Sequence, residues 1–217
     1  KAWEYIIYDK LDRPVLTQDA HLRGNKQWLF TKYDVFGRVI YTGIYRHADT
    51  LNQSEMQAHY HSAPTNAYSA RLPYEEKRTI EFASTYVSHY YSTLQFPFEQ
   101  IEILSVNYYD DYAFNTAGLH IPTTVLNAQV STRTKTLATG ARIKVLNPNP
   151  EALEGWITTT NAYDEKARPI WTATHNAYLE TTDIVKSEID FVGKLDQSIS
   201  IHSKTGQDTI VVQDTYT

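Results

Sequence analysis

The sequence predicts a mainly all-β protein, an antiparallel array of β-hairpins with a short, partly helical insertion. Three observations predict it. Tyrosine is abundant, at 17 of 217 residues, beside only 8 glycines and 8 prolines. Tyrosine has an apolar body and a polar tip, so it favours half-buried, pleated surfaces. Short β-prone apolar runs are separated by compact polar turns, which is the signature of hairpins. A third signal is repetition: Tyr8 and Tyr33 open matching segments 25 residues apart, and Tyr163 and Ile189 open two more 26 residues apart. A repeat of that length marks an array in which each unit needs its neighbours to bury its face.

The elements follow in order. Trp3 to Ile7 reads as a strand, and Tyr8 to Thr17 supplies a turn and a return strand. Gln18 to Lys26 is polar and reads as a loop. Trp28 to Tyr33 is the next strand, and Val39 to Tyr45 returns from it across the turn Asp34–Arg38. The pattern breaks over residues 46–98, which are read as an insertion on a single domain of residues 1–217. Within it, Thr50 to His61 predicts a short helix capped by Asp49 or Thr50. Glu75-Glu76-Lys77-Arg78 reads as a solvated face. Thr79 to Tyr91 alternates loosely. Ile101 to Tyr109 is a strand closed by Asp110-Asp111-Tyr112. Gln129–Thr136 and Ala141–Asn147 predict a hairpin about Ala138-Thr139-Gly140, and Asn147-Pro148-Asn149-Pro150 a loop. Trp156 to Tyr163 rises into the third matching segment, and Thr209–Thr217 reads as the rising strand of a further unit.

The repeated turn has explicit chemistry. Tyr8-Asp9-x-x-Asp12-Arg13, Tyr33-Asp34-x-x-Gly37-Arg38 and Tyr163-Asp164-x-x-Ala167-Arg168 are three good copies, and Ile189-Asp190-x-x-Gly193-Lys194 is a degenerate fourth. The Asp accepts amide hydrogens in an Asx-turn. Gly37 and Gly193 take a positive φ without steric cost, Asp12 tolerates it, and Ala167 does so poorly. The Arg begins the return strand, where its fork pairs with the turn Asp or stacks on a neighbouring Tyr. Pro14 and Pro169 lack an N–H and belong at a strand start.

Composition narrows the function classes. The net charge is −5 with no Lys/Arg run, so there is no electrostatic footprint for nucleic acid or anionic lipid. With no cysteine, disulfides, thiolate metal sites and a Cys nucleophile are excluded. No apolar run reaches the roughly 18 residues of a membrane helix, so no membrane insertion is expected. Lys1-Ala2-Trp3-Glu4 carries no signal-peptide apolar region.

The Tyr-Asp-x-x-Gly-Arg pattern at this spacing resembles the YD repeats of bacterial RHS-repeat proteins. The runs Tyr8–Thr17, Trp28–Tyr45, Ile101–Tyr112 and Gly155–Thr172 extend the resemblance over most of the chain. Asp12 and Ala167 in place of Gly, Ile189 in place of Tyr and Lys194 in place of Arg depart from it. The resemblance implies a segment of a long spiralling β-sheet. In complete members that sheet winds into a shell enclosing or presenting a C-terminal toxin or effector domain. It implies a secreted or cell-surface protein of bacterial competition. Its partners would be the remainder of its own longer chain and a bacterial secretion machine or outer-membrane translocon. It implies no catalytic residue here, no cofactor and no metal.

Two other readings are carried. Exposed tyrosines with Trp3, Trp28, Trp156 and Trp171 would make an adhesion or carbohydrate-binding module, against which stands ordinary sheet packing. His59-Tyr60-His61 would be the start of a metal-dependent hydrolase site, which needs further ligands. Asp110-Asp111 offers half of a carboxylate pair for hydrolysis or a calcium ligand, but neighbours on a strand end point apart, and a turn cap is the simpler role.

Overall fold

A computed structural model describes residues 3–63, 75–79, 87–146 and 155–216. Eleven of its strands form one antiparallel sheet: β1 (Tyr5–Tyr8), β2 (Pro14–Gln18), β3 (Gln27–Tyr33), β4 (Val39–Arg46), β7 (Ile101–Tyr109), β10 (Ala138–Lys144), β11 (Trp156–Tyr163), β12 (Pro169–Asn176), β13 (Thr181–Ile189), β14 (Leu195–Lys204) and β15 (Ile210–Thr215). They pair in chain order, as hairpins require. Two minor ladders stand apart, β5 (Val87–Ser88) with β6 (Tyr91–Ser92) and β8 (Thr124–Val125) with β9 (Ala128–Gln129). Among the described residues two helices interrupt the array, α1 (Ala20–Gly24) and α2 (Gln53–Ser62). The expected all-β hairpin array with a short helical insertion is what forms.

The chain divides into two compact units, residues 1–106 and 107–217. In the first, alternation along β3 turns Trp28, Phe30 and Lys32 inward, all at most 3% exposed. Leu16, Ile40, Tyr41 and Val106 complete that core. In the second, Ala162, Ile170, Trp171 and Ala173 of the sheet bury against Leu119 and Val125 of the segment between β7 and β10. Burial falls away along the chain, and every residue of β15 is exposed.

Several expectations are corrected. The presumed loop 18–26 contains α1, because Asp19 caps it by accepting the Leu22 N–H at 2.8 Å. Helix α2 is capped by Asn52 rather than Asp49 or Thr50. Asn52 and Glu55 form a reciprocal capping box that Asp49 and Thr50 stand too early to make. Glu76 is not on a solvated face but 1% exposed. Residues 138–140 do not turn. They lie within β10, where Gly140 pairs with Thr160, and residues 129–136 form no strand against them. Gly140 is needed for close approach, since a Cβ there would sit 2.3 Å from the Phe114 ring. That ring in turn stacks on Tyr108 at 4.1 Å. The loop expected at 147–150, and most of the alternation expected over 79–91, lie outside the described residues.

Candidate functional site

The predicted site residues gather at the hairpin turns, and their geometry repeats almost atom for atom. Asp9, Asp34, Asp164 and Asp190 each donate their backbone N–H to the carbonyl of the residue four on, at 2.9–3.0 Å. Their Oδ1 atoms accept the N–H of that same residue, at 3.0, 2.9, 2.9 and 2.8 Å. In the first three turns Oδ1 also accepts the N–H two residues on, from Leu11, Phe36 and Lys166. Oδ2 accepts Nε of Arg13, Arg38 and Arg168 at 2.7–2.8 Å. The residue before the Arg or Lys takes a positive φ every time: Asp12 58°, Gly37 75°, Ala167 61°, Gly193 99°. A register shift falls just before Tyr8, Tyr33, Tyr163 and Ile189. Pro14 and Pro169 face Tyr8 and Tyr163 there, at the disrupted rung where a missing donor is tolerated.

These carboxylates are nearly buried, with Asp9, Asp34 and Asp164 4%, 6% and 8% exposed. Burial alone would raise the Asp164 carboxyl. The amides of Arg168 and Lys166 and the Arg168 guanidinium overcome it and hold the group below the usual carboxylate range.

Two of these arginines also reach the next turn, whereas Arg38 lies over Phe36 of its own turn at 4.9 Å. The Arg13 guanidinium lies over the Tyr33 ring at 4.5 Å, and Tyr33 donates its hydroxyl to Pro14 O at 2.8 Å. Arg168 Nη1 donates to Asp190 O at 2.7 Å, and Lys166 Nζ sits 3.7 Å over the Phe191 ring. The first turn is thus braced to the second, and the turn at Asp164 to that at Asp190, as well as each being closed internally. Burial pushes the Tyr33 hydroxyl up, and nearby Arg13 partly opposes it.

Sequence reading missed a fifth turn of this kind. Asp110 donates its N–H to Leu137 O at 3.0 Å, the bond that elsewhere spans four residues. Its Oδ1 accepts Thr136 N at 2.6 Å, and Thr136, just before Leu137, has φ +73°. Tyr163 donates its hydroxyl to Ala138 O at 2.7 Å, as Tyr33 does to Pro14. Leu137 therefore holds the place of the Arg, and Tyr109-Asp110 is the Tyr-Asp of a turn opened by the inserted residues 111–136. The only available signal was the Tyr-Asp pair itself. Asp111 caps the next residues by accepting Ala113 N at 2.8 Å, so the paired aspartates act as turn caps. Beside them lies a cavity of about 650 Å³, lined among others by Tyr112, Ile121, Pro122 and Val130. The Tyr112 hydroxyl, donating to Asn161 O, is pushed up to about 12 by burial and by the nearby Tyr163.

A second buried polar cluster was also missed. Lys32 Nζ lies 2.8 Å from Glu76 Oε1 and donates to Gln95 O at 2.7 Å. Glu76 further accepts Ser92 Oγ–H and the amides of Leu94 and Gln95, at 2.6–2.9 Å. Burial pushes the Lys32 ammonium down, against the opposing charge of Glu76.

His59 packs edge-on to His47 and Phe96, and burial lowers its pKa. His61 contacts Gln57. Among the described residues no three metal-ligating side chains are grouped. Trp28 and Trp171 are buried, Arg142 covers Trp156, and Trp3 is exposed. No described helix is long and apolar enough to cross a membrane. No family model, curated protein or solved structure matches the chain.

Proposed function

We propose that this chain is a wall segment of a secreted or cell-surface RHS/YD-repeat protein of bacterial type. Its β-sheet would enclose or present a C-terminal toxin or effector, and it would have no catalytic role of its own. The observation that carries the reading is the recurrence of one turn geometry four times, with a looser relative at Asp110 and with Arg13 and Arg168 each reaching into the following turn. Such a device specifies the curvature and register of a sheet and positions no reacting group. Its partners are then the rest of its own chain and an export machine or outer-membrane translocon.

The test is to express the complete product of the coding region and examine it by electron microscopy with limited proteolysis. A closed shell that protects a downstream segment from protease is the expected result. A complete product lacking further Tyr-Asp turns, or one whose downstream region is digested freely, would overturn it.

A further inference from the structure

Strand β1 has β2 on one side and helix α2 on the other. In an antiparallel ladder the residues alternate in where their backbone groups point. Ile6 and Tyr8 turn theirs away from β2, and those groups meet glutamines. Tyr8 N donates to Gln57 Oε1 at 3.0 Å, Gln57 Nε2 donates to Tyr8 O at 2.8 Å, and Gln53 Nε2 donates to Ile6 O at 3.1 Å. One side-chain amide thus makes to Tyr8 the pair of bonds that a residue of a neighbouring strand would make.

The helix is built for this contact. Gln53, Met56, Gln57 and Tyr60 recur at helical spacing on one face. Met56, fully buried, anchors that face. Strand β1 itself, Tyr5-Ile6-Ile7-Tyr8, contains no charge and no proline. It therefore lacks the devices by which an edge strand repels another. The protection is supplied from outside.

We infer that α2 is an edge guard, a strand mimic that closes β1 to strand addition. Without its glutamines, β1 pairs with the β1 of a second copy, antiparallel across a two-fold axis, the arrangement in which one short apolar edge is complementary to itself. This holds whether or not the shell reading is correct.

The test uses the full 217-residue chain carrying Gln53→Ala and Gln57→Ala. Alanine keeps the helix, so folding is not at stake. At micromolar concentration the Tyr8 amide is expected to exchange about tenfold faster than in the parent, matching the loss of one hydrogen bond. At high concentration, sedimentation should show a dimer that the parent does not form. Adding Ile6→Pro, which removes an outward-facing N–H, should abolish that dimer. Unchanged Tyr8 exchange, a variant with the parent's mass at every concentration, or association that survives Ile6→Pro would each overturn the proposal.

Discussion

Asp34 shows what one side chain contributes. Its carboxylate collects two backbone amides and the Arg38 guanidinium, and so fixes five consecutive residues. The position after the two variable residues is then forced to positive φ. Here the copies differ in quality, since Gly37 adopts +75° freely whereas Ala167 is held at +61°. A left-handed conformation costs an L-residue roughly 1–2 kcal/mol. Ala167→Gly should therefore stabilise the protein by about 1 kcal/mol, and Gly37→Val should destabilise it by about 2 kcal/mol. A Cβ at Gly37 would meet nothing closer than Arg13 Nη1 at 4.0 Å, so the cost is conformational rather than a clash. Urea melts of both variants check the pair, and shifts of the same sign would refute the turn assignment. These turns were legible in the sequence because every bond that closes one spans at most four residues. The turn at Asp110 was not, because its closing partner Leu137 is remote in sequence and lacks the guanidinium that marks the others.

Elements that need distant partners were read less well. The hairpin strands announce themselves by alternation and Tyr content. Helix α2 was expected, yet its inward face is Gln, Met and Tyr because it packs on a strand edge, so no apolar stripe set its limits. Glu76 looks solvated among Glu75, Lys77 and Arg78, and nothing local reveals that Lys32 awaits it inside. That pair ties β3 to the insertion, and removing one charge leaves the other buried. Glu76→Gln should cost about 3–5 kcal/mol. The pH dependence separates this cause from lost packing. Burial already lowers the Lys32 pKa, and loss of the Glu76 charge lowers it further. Between the folded value and the unfolded value near 10.4, the unfolded chain then holds the extra proton, so stability rises with pH. Denaturant melts should show the deficit of the variant shrinking from neutral pH toward pH ~10. A deficit independent of pH would mean that the ammonium is not what the variant leaves stranded.

At the scale of the molecule, each compact unit completes its core with a segment that interrupts the array. In the first, Met56 of α2 and Glu76 are buried with the sheet residues. In the second, Leu119 and Val125 cover Ile170 and Trp171. Hairpins alone cannot bury both faces, and the interruptions supply the missing layer. Stability should be lost at both ends of the pH scale, for different reasons. At the acid end, the Asp164 carboxyl is held below its ordinary value. Its contribution is present above the unfolded value near ~3.9 and is lost as pH falls through the folded value. At the alkaline end, burial pushes the Tyr45 hydroxyl up to about 12. The unfolded tyrosine ionises near ~10, so its contribution is complete below that pH and is lost as pH rises from about 10 toward 12. Tyr45→Phe keeps the ring against Phe96, where the centroids are 5.2 Å apart, and removes the ionisable group. Melts of parent and variant should run parallel below pH ~10 and separate above it, the variant losing stability less steeply. Identical alkaline slopes would show that Tyr45 ionises as readily in the folded protein as in the unfolded chain.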